Sequence, residues 1–500
     1  MEDTGRIRAA LMPAARRIVF SSLNEQGKAI LGEASKVDRA HILMLTERGI
    51  VQPGKAVSLL NAIDELEEQR FRPLMNREAM RGWYFLYEDY LIERLGVETG
   101  GILQTGRSRN DWNATILKLR LRVPYLTLTG EILRLLAVLL RLARRYSTCV
   151  MPVYTHGQVA CPVSLGHYYA GVASALLRDV DGIQKASASL GQCPLGAGAV
   201  AGSSIPIDTE RTAKLLGFEG GPLHSIDAVA SRDSVLHLLA AATVCGVTFS
   251  RVATDLMQWL SAEFGFLCLE DDLVGSSSAM PQKRNPFLLE HIQGRTASGL
   301  GAFVTAATAM HNAPFTNSIA VGTEAVQPVW QALQDTADMA ILLRLVISGA
   351  KPIAPAMLRR AVDGFSNATE IANRVMYETG TDFRTAHRIV GRAITMTTEA
   401  TQQDRGQALF SMLETQGVHI SAEKLDPASV AAGCEYGGGP GPRSLNHCLG
   451  ELSGEWLARV RFRRRQLNRW NQAERILEKA VMCLRDSTNS MQSESWIQAT

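Results

Sequence analysis

Three stretches constrain what this chain can become: residues 114–145, rich in leucine, and the apolar runs 227–266 and 288–310. Each is far longer than an average helix of about 11 to 12 residues, and strand signals are few throughout. Helices of that length, apolar on much of their surface, must pack against others like themselves. The chain is therefore predicted to be all-α, built around a central bundle of long helices. Pro124 and Gly130 fall inside the first stretch and at most kink it.

Shorter segments flank the long ones. Apolar positions recur at three- and four-residue steps over 35–69, with a break at Gln52-Pro53-Gly54, and a further helix is predicted over 84–95. Glycines 96, 100 and 101 end this part, and the Gly/Pro-containing run 349–355 ends the long-helix part. The expected organisation is an N-terminal helical domain over 1–107, a central long-helix bundle domain over 108–354 and a smaller helical C-terminal domain over 355–500. Within the centre, 151–162 contains two prolines and reads as a loop before a helix over 163–183. Residues 487–500 are mostly polar and read as a frayed end.

Composition excludes several classes. Apolar residues are 46% and charged residues 20% of the chain, so it folds as a globular protein. A formal net charge of +3 gives no global attraction to nucleic acid or an anionic membrane. Five arginines at 459, 461, 463, 464 and 465 form a basic cluster on one helix with only Phe462 interleaved, which reads as a solvated face. The eight cysteines are scattered, without a Cys-x-x-Cys pair or zinc-ligand spacing. With charged residues mixed into 1–20 and no run of about 18 uncharged apolar residues, a cytoplasmic protein without a membrane span is expected. The glycine-rich 195–202 lacks the preceding strand of a dinucleotide fingerprint and reads as a connecting loop.

The polar residues gather in four clusters: 105–111 (TGRSRND), 154–158 (YTHGQ), Ser231-Arg232-Asp233, and 275–286 (GSSSAMPQKRNP). The last has the character of a mobile lid, with three serines, two bracketing prolines, and Gln282, Lys283 and Asn285 as donors for a carboxylate. Ser108, Arg109 and Asn110 near a helix start offer backbone N–H groups, a guanidinium and an amide to a second carboxylate. His156 is a candidate acid or base, and a lid serine is a candidate base where oriented donors stabilise its anion. Each cluster alone also fits a cap, an ion pair or a loop histidine; four together point to a site.

These motifs resemble the argininosuccinate lyase branch of the fumarase/aspartase superfamily: TGRSRND at 105–111, MPVYTHGQ at 151–158 and SSAMPQKRNP at 277–286, supported by 195–218, 225–233, 263–266 and 384–391. The resemblance implies a three-domain helical subunit, a homotetramer whose active sites each draw on three chains, and anti elimination of an amine from an N-substituted aspartate to release fumarate, without metal or organic cofactor. It assigns Ser277 as base, with Ser278 the alternative in a loop that has a serine where the family has glycine. Lys283 and Asn285 match the holders of the reacting carboxylate, and Ser108, Arg109, Asn110 and Thr155 those of the fumarate portion. His156 matches the histidine that protonates or orients the leaving group; Gln158, Arg232 and Met280 are supporting positions.

The chain departs from the family where the arginine end of the substrate is addressed. The Gln and Lys of the usual run are missing from 315–325, and the Ser-Ile-x-x-Asp stretch is replaced near 20–25. Buried polar groups left unpaired cost roughly 1 to 3 kcal/mol each, so a different amine is expected, with ethylenediamine-N,N′-disuccinate lyase as the family member the pattern points to. The alternatives are an argininosuccinate lyase with a rebuilt amine pocket and an inactive structural paralogue; the joint presence of the catalytic set argues against the second.

Overall fold

The computed structural model describes residues 11–77, 82–397 and 405–499. Five long helices form its body: α4 (Arg109–Arg145), α5 (Leu165–Ala186), α6 (Asp233–Leu260), α7 (Phe287–His311) and α8 (Val329–Gly349). Leu121, Leu128, Leu135 and Leu142 of α4 interlock with Leu176 and Val180 of α5, Leu238 and Phe249 of α6, and Leu333 and Leu343 of α8 in one continuous apolar core. Two of these helices, α4 and α6, are long and apolar enough to cross a membrane; here that composition serves the packed bundle. The sequence run 227–266 breaks at Ser231-Arg232, where a short helix, Ser225–Ala230, turns into α6.

Before the bundle come α1 (Pro13–Glu47), α2 (Pro53–Glu68) and α3 (Trp83–Leu95), which build a second apolar cluster with Trp112 and Ile116 of α4. Residues 20–25, where the sequence departs from the family, belong to α1; the side chains of 21–26 lie outside the described residues. A third cluster, from Ile371 to Leu425, holds the helices Ala368–Thr379, Phe383–Thr397 and Arg405–Thr415. The stretch expected as one C-terminal domain divides here. After the glycine-rich turn at 437–441, a single helix of 58 residues, which we label α9 (Pro442–Ala499), leaves that cluster and runs back along α4, α5 and α2. Residues 487–499, read as frayed, continue it.

The basic cluster of α9 is not simply solvated. Arg463 donates through Nε and Nη2 to the Leu126 carbonyl of α4 at 3.1 and 2.9 Å. Arg459 pairs with Asp181 of α5 at 3.3 Å, and Gln184 donates to the Arg459 carbonyl at 3.0 Å. These bonds fasten α9 to the bundle. The other correction is local: 151–162 is not a loop. Antiparallel strands β1 (Val150–Thr155) and β2 (Gln158–Ser164) pair as a hairpin between α4 and α5.

The N-terminal cluster meets the bundle through buried charge. Arg107 and Asp38 form an ion pair whose side chains are 1% and 0% exposed, and Trp112 Nε1 donates to the same carboxylate at 3.2 Å. His41 sits beside them with Nε2 2.8 Å from the Thr105 carbonyl. Burial, and then the Arg107 charge, push this imidazole down to about 3, so it is neutral and donates.

Two outcomes follow. Arg107→Leu strands the Asp38 carboxylate in the interior and should cost about 3 to 5 kcal/mol in urea unfolding. As pH falls below 6.5, the unfolded chain protonates His41 while the folded chain refuses the proton down to about 3, a loss of about 1.4 kcal/mol per pH unit. His41→Gln keeps a donor for Thr105 and should flatten the decline of unfolding free energy between pH 6.5 and 4; an unchanged slope would assign it to other groups.

Candidate active site

The residues singled out in the sequence lie in three places, each made by local backbone chemistry. At the start of α4, Ser108 is the N-cap: its hydroxyl accepts from Asn110 N at 3.3 Å, and Asp111 Oδ1 accepts from Ser108 N at 3.0 Å. This reciprocal arrangement is a capping box. The other Asp111 oxygen accepts from Gly196 N at 2.9 Å and Gly198 N at 2.8 Å, which draws the glycine-rich loop over the helix end. Burial outweighs these donors and raises the Asp111 carboxyl to about 6. Asn110 Nδ2 completes the attachment by donating to the Ala199 carbonyl at 3.3 Å.

Arg109 and Asn110 line a cavity of about 230 Å³ together with Arg232 and the side chains of Asn317, Thr323 and Glu324. The Arg109 guanidinium lies 5.0 Å from the Phe85 ring centroid, a cation–π contact that aims it. Arg232 is 5% exposed, is lowered to about 10 by burial, and donates to the carbonyls of Val229 and Ser231 at 2.8 and 2.7 Å. It remains charged at neutral pH. Phe20 also lines the cavity, in the N-terminal region where the sequence departs from the family.

At the opposite end of α4 stands the β1–β2 hairpin. Thr155 and Gln158 pair across a two-residue turn made by His156, φ 54°, and Gly157, φ 73°. Two left-handed residues in succession are the signature of a type I′ turn; Gly157 adopts that geometry freely, whereas His156 does so at a cost of about 1 to 2 kcal/mol. The result is an exposed imidazole at the tip of a rigid two-stranded arm.

The third element is the serine-containing loop between α6 and α7. Gly275 and Asn285 exchange two backbone hydrogen bonds of 2.8 Å, pinning its neck. Inside, Ser277 Oγ accepts from Met280 N at 3.1 Å and Ala279 N at 3.3 Å. Asn285 Nδ2 donates to the Ser276 carbonyl at 3.3 Å, and Arg284 donates to the Leu269 carbonyl at 2.7 Å while pairing with Asp271. Ser278, Met280 and Lys283 are exposed on the arch.

Within one subunit the first of these elements stands apart from the other two, whereas the hairpin packs towards the serine loop's approach, the Tyr154 ring centroid lying 5.1 Å from that of Phe264. The cavity at the start of α4 is lined by neither the hairpin nor the serine loop. Helix α4 has 37 residues, about 55 Å at 1.5 Å per residue, and it separates Ser108 from the hairpin. Helix α7 has 25 residues, about 37 Å, and it separates the serine loop from 317–324. The sequence offers Asp111 as a cap or an ion-pair partner, and the structure makes it the cap; the Ser-x-x-Asp spacing of a capping box is the signal for it, while its hold on the glycine-rich loop has no local signal.

Comparison with known proteins agrees with this architecture. A family model described as Lyase matches residues 78–300, and one described as Argininosuccinate lyase C-terminal matches 365–428. Argininosuccinate lyase of Methanosarcina mazei is 32% identical over 464 residues, covering 90% of this chain and 92% of its own. That of Halorhodospira halophila is 36% identical over 410 residues, covering 80% and 86%. Among solved structures, EDDS lyase in complex with formate superposes with a TM-score of 0.84 at 25% identity, over 96% of this chain and 98% of that one. Class II fumarase from Schistosoma mansoni, at 14% identity and a TM-score of 0.69 over 83% and 94% of the two chains, shares the fold. Helical bundle, signature loop and similarity along nearly the whole length converge: the chain belongs to the argininosuccinate lyase branch of the fumarase/aspartase superfamily and is a carbon–nitrogen lyase.

Proposed function

We propose that this lyase releases fumarate from an N-substituted L-aspartate by anti elimination, and that the departing amine is part of an aminopolycarboxylate such as ethylenediamine-N,N′-disuccinate. The observation that carries the reading is a contrast. The fumarate-side set, Ser108, Arg109, Asn110, Thr155, Lys283 and Asn285, is complete, while the cavity beside Arg109 and Asn110 is walled by Asn317, Ile319, Gly322 and Thr323. The Gln and Lys expected to address arginine are not among those walls.

In this mechanism Ser277 removes the proton β to nitrogen, next to the distal carboxylate. Two backbone N–H groups aimed at its oxygen favour the alkoxide, as donors to any anion do. The electrons move into the adjacent carboxylate, whose aci form Lys283 and Asn285 hold. The carbon–nitrogen bond then breaks as His156, directly or through an oriented donor, supplies a proton to nitrogen from the opposite face. Ser108, Arg109, Asn110 and Thr155 fix the product's carboxylates; Gln158, Arg232, Ser278 and Met280 support the walls. Since α4 and α7 keep the Ser108–Asn110 group tens of ångströms from the hairpin and the serine loop in one chain, each site is completed by neighbours in a homotetramer. Val244 and Val247 of α6 and Leu300 and Val304 of α7, each 50% exposed or more, supply an apolar face for that assembly. We place the enzyme in the cytoplasm on the scatter of its unpaired cysteines.

A second reading, argininosuccinate lyase itself, is favoured by the names of relatives at 32% and 36% identity. Fumarate absorbance with the two substrates side by side separates the readings: ethylenediamine-disuccinate should turn over and argininosuccinate should not, and the reverse result would overturn the proposed amine. Ser277→Ala should lower turnover by about 10²- to 10⁴-fold, the usual reach of a positioned base, with the oligomer intact by light scattering; retained activity would move the base to Ser278. Inactive Asn110→Ala and Ser277→Ala subunits, dissociated and reassembled together, should regain activity through sites that draw both intact groups from different chains. No recovery would mean that each site is built within one chain.

A further inference from the structure

About 20 Å along α4 from Arg109, thirteen residues at 1.5 Å each, a second cavity of about 210 Å³ opens where α4, the segment 215–218 and α9 converge. Arg122 and Trp470 line it, 8% and 9% exposed. The Arg122 guanidinium lies between two aromatic rings, 4.4 Å from the Phe218 centroid and 4.8 Å from that of Trp470. Gly217, with φ 73°, permits this closure: a Cβ there would come within 3.3 Å of the Trp470 ring.

Arg122 Nη1 donates to the Leu216 carbonyl at 2.8 Å. Its Nε and Nη2, and the Trp470 Nε1, find no acceptor among the described residues. Nε and Nη2 together form one edge of the guanidinium, the edge that receives a carboxylate through two parallel hydrogen bonds. Among the described residues several other arginines have a buried Nε without an acceptor, and only Arg122 leaves a whole buried edge. Burial lowers this guanidinium to about 10, so it is charged at neutral pH, and a buried charge demands a partner.

Leu119, Leu126, Leu467 and Leu477 supply apolar wall, and Asn471, Lys36, Glu33 and Glu474 supply the polar part of the lining. At the mouth, Lys36 is paired with Glu33 at 3.5 Å and Glu474 at 3.0 Å, and nearby Arg469 is bonded to Glu219. The rim charges are thus largely occupied with one another, and Arg122 is left as the cation facing the interior. A cavity of about 150 Å³ suffices for benzene.

We propose that this cavity is a binding site, separate from the catalytic groups, for a small monocarboxylate with an apolar body of benzoate or hexanoate size. The carboxylate takes the Nε–Nη2 edge of Arg122, Trp470 Nε1 adds a third donor, and the apolar body lies against the leucines. The ligand bridges α4 and α9, and therefore strengthens the seat of the C-terminal helix.

The test is titration calorimetry and thermal unfolding of the full chain with sodium benzoate, against benzyl alcohol and sodium chloride at matched concentration. Benzoate should bind once per chain and raise Tm, and the two controls should not. Arg122→Gln keeps a donor for Leu216 and should weaken benzoate about 10- to 100-fold, the worth of hydrogen bonds to a charged group. Val123→Trp, at a 65% exposed position on the mouth, should block binding without touching the core, while Asn110→Ala should leave it unchanged. Absence of benzoate binding in the parent protein, or equal binding in Arg122→Gln and Val123→Trp, would overturn the assignment.

Discussion

The length of α4 is the constraint on which the rest depends. A helix of 37 residues is a rod, and its two ends carry two of the polar clusters that the chemistry needs together. The interior of the bundle resists bending at close-packed density, so the distance cannot be closed by a local adjustment. A site that uses both ends, as we propose, recruits the matching end of another molecule. The exposed apolar stripes of α6 and α7 then have a purpose consistent with their composition: they would be covered in the assembly that the rod imposes.

The same local device recurs at both places proposed to handle carboxylates. At the start of α4, the two carboxylate oxygens of Asp111 gather three backbone N–H groups, and the loop above takes its shape from them. In the serine loop, Ser277 Oγ gathers two more. Backbone donors lose little conformational freedom when they bind an oxygen, because the chain already fixes them. Preorganisation of this kind is what stabilisation of developing negative charge requires.

The helical body was legible from apolar periodicity, because a 3.6-residue repeat sustained over 20 or more residues has no competing explanation. The start of α4 was legible only as a polar run, since Ser108, Asn110 and Asp111 prefer caps and turns as well as active sites. The hairpin was missed for a physical reason: Pro152 and Pro162 argue against strands, yet both lie in the outer part of a two-stranded ribbon, and the diagnostic turn is made by His156 rather than the usual Asn. The fastening of α9 was missed because its arginines resemble a solvated face, and only tertiary structure shows Arg463 bonded to a carbonyl of α4; its last turns were missed because 487–499 are mostly polar. The ion pair of Asp38 and Arg107, 69 residues apart in sequence, left no local trace.

Helix α9 has a consequence for motion. It touches α1, α2, α4 and α5, and its fastenings include a pair between Arg485 and Asp64 of α2 and another between Lys36 of α1 and Glu474. A splint laid across two apolar clusters removes their independent rotation. The freedom that an elimination needs, to admit a substrate and discharge two products, is then left to pieces the splint does not cross: the serine loop on its pinned neck and the small cluster around Ile371 and Leu425. The molecule spends its rigidity on the spacing of its bundle and keeps its compliance for the loop that carries Ser277 and the small outlying cluster.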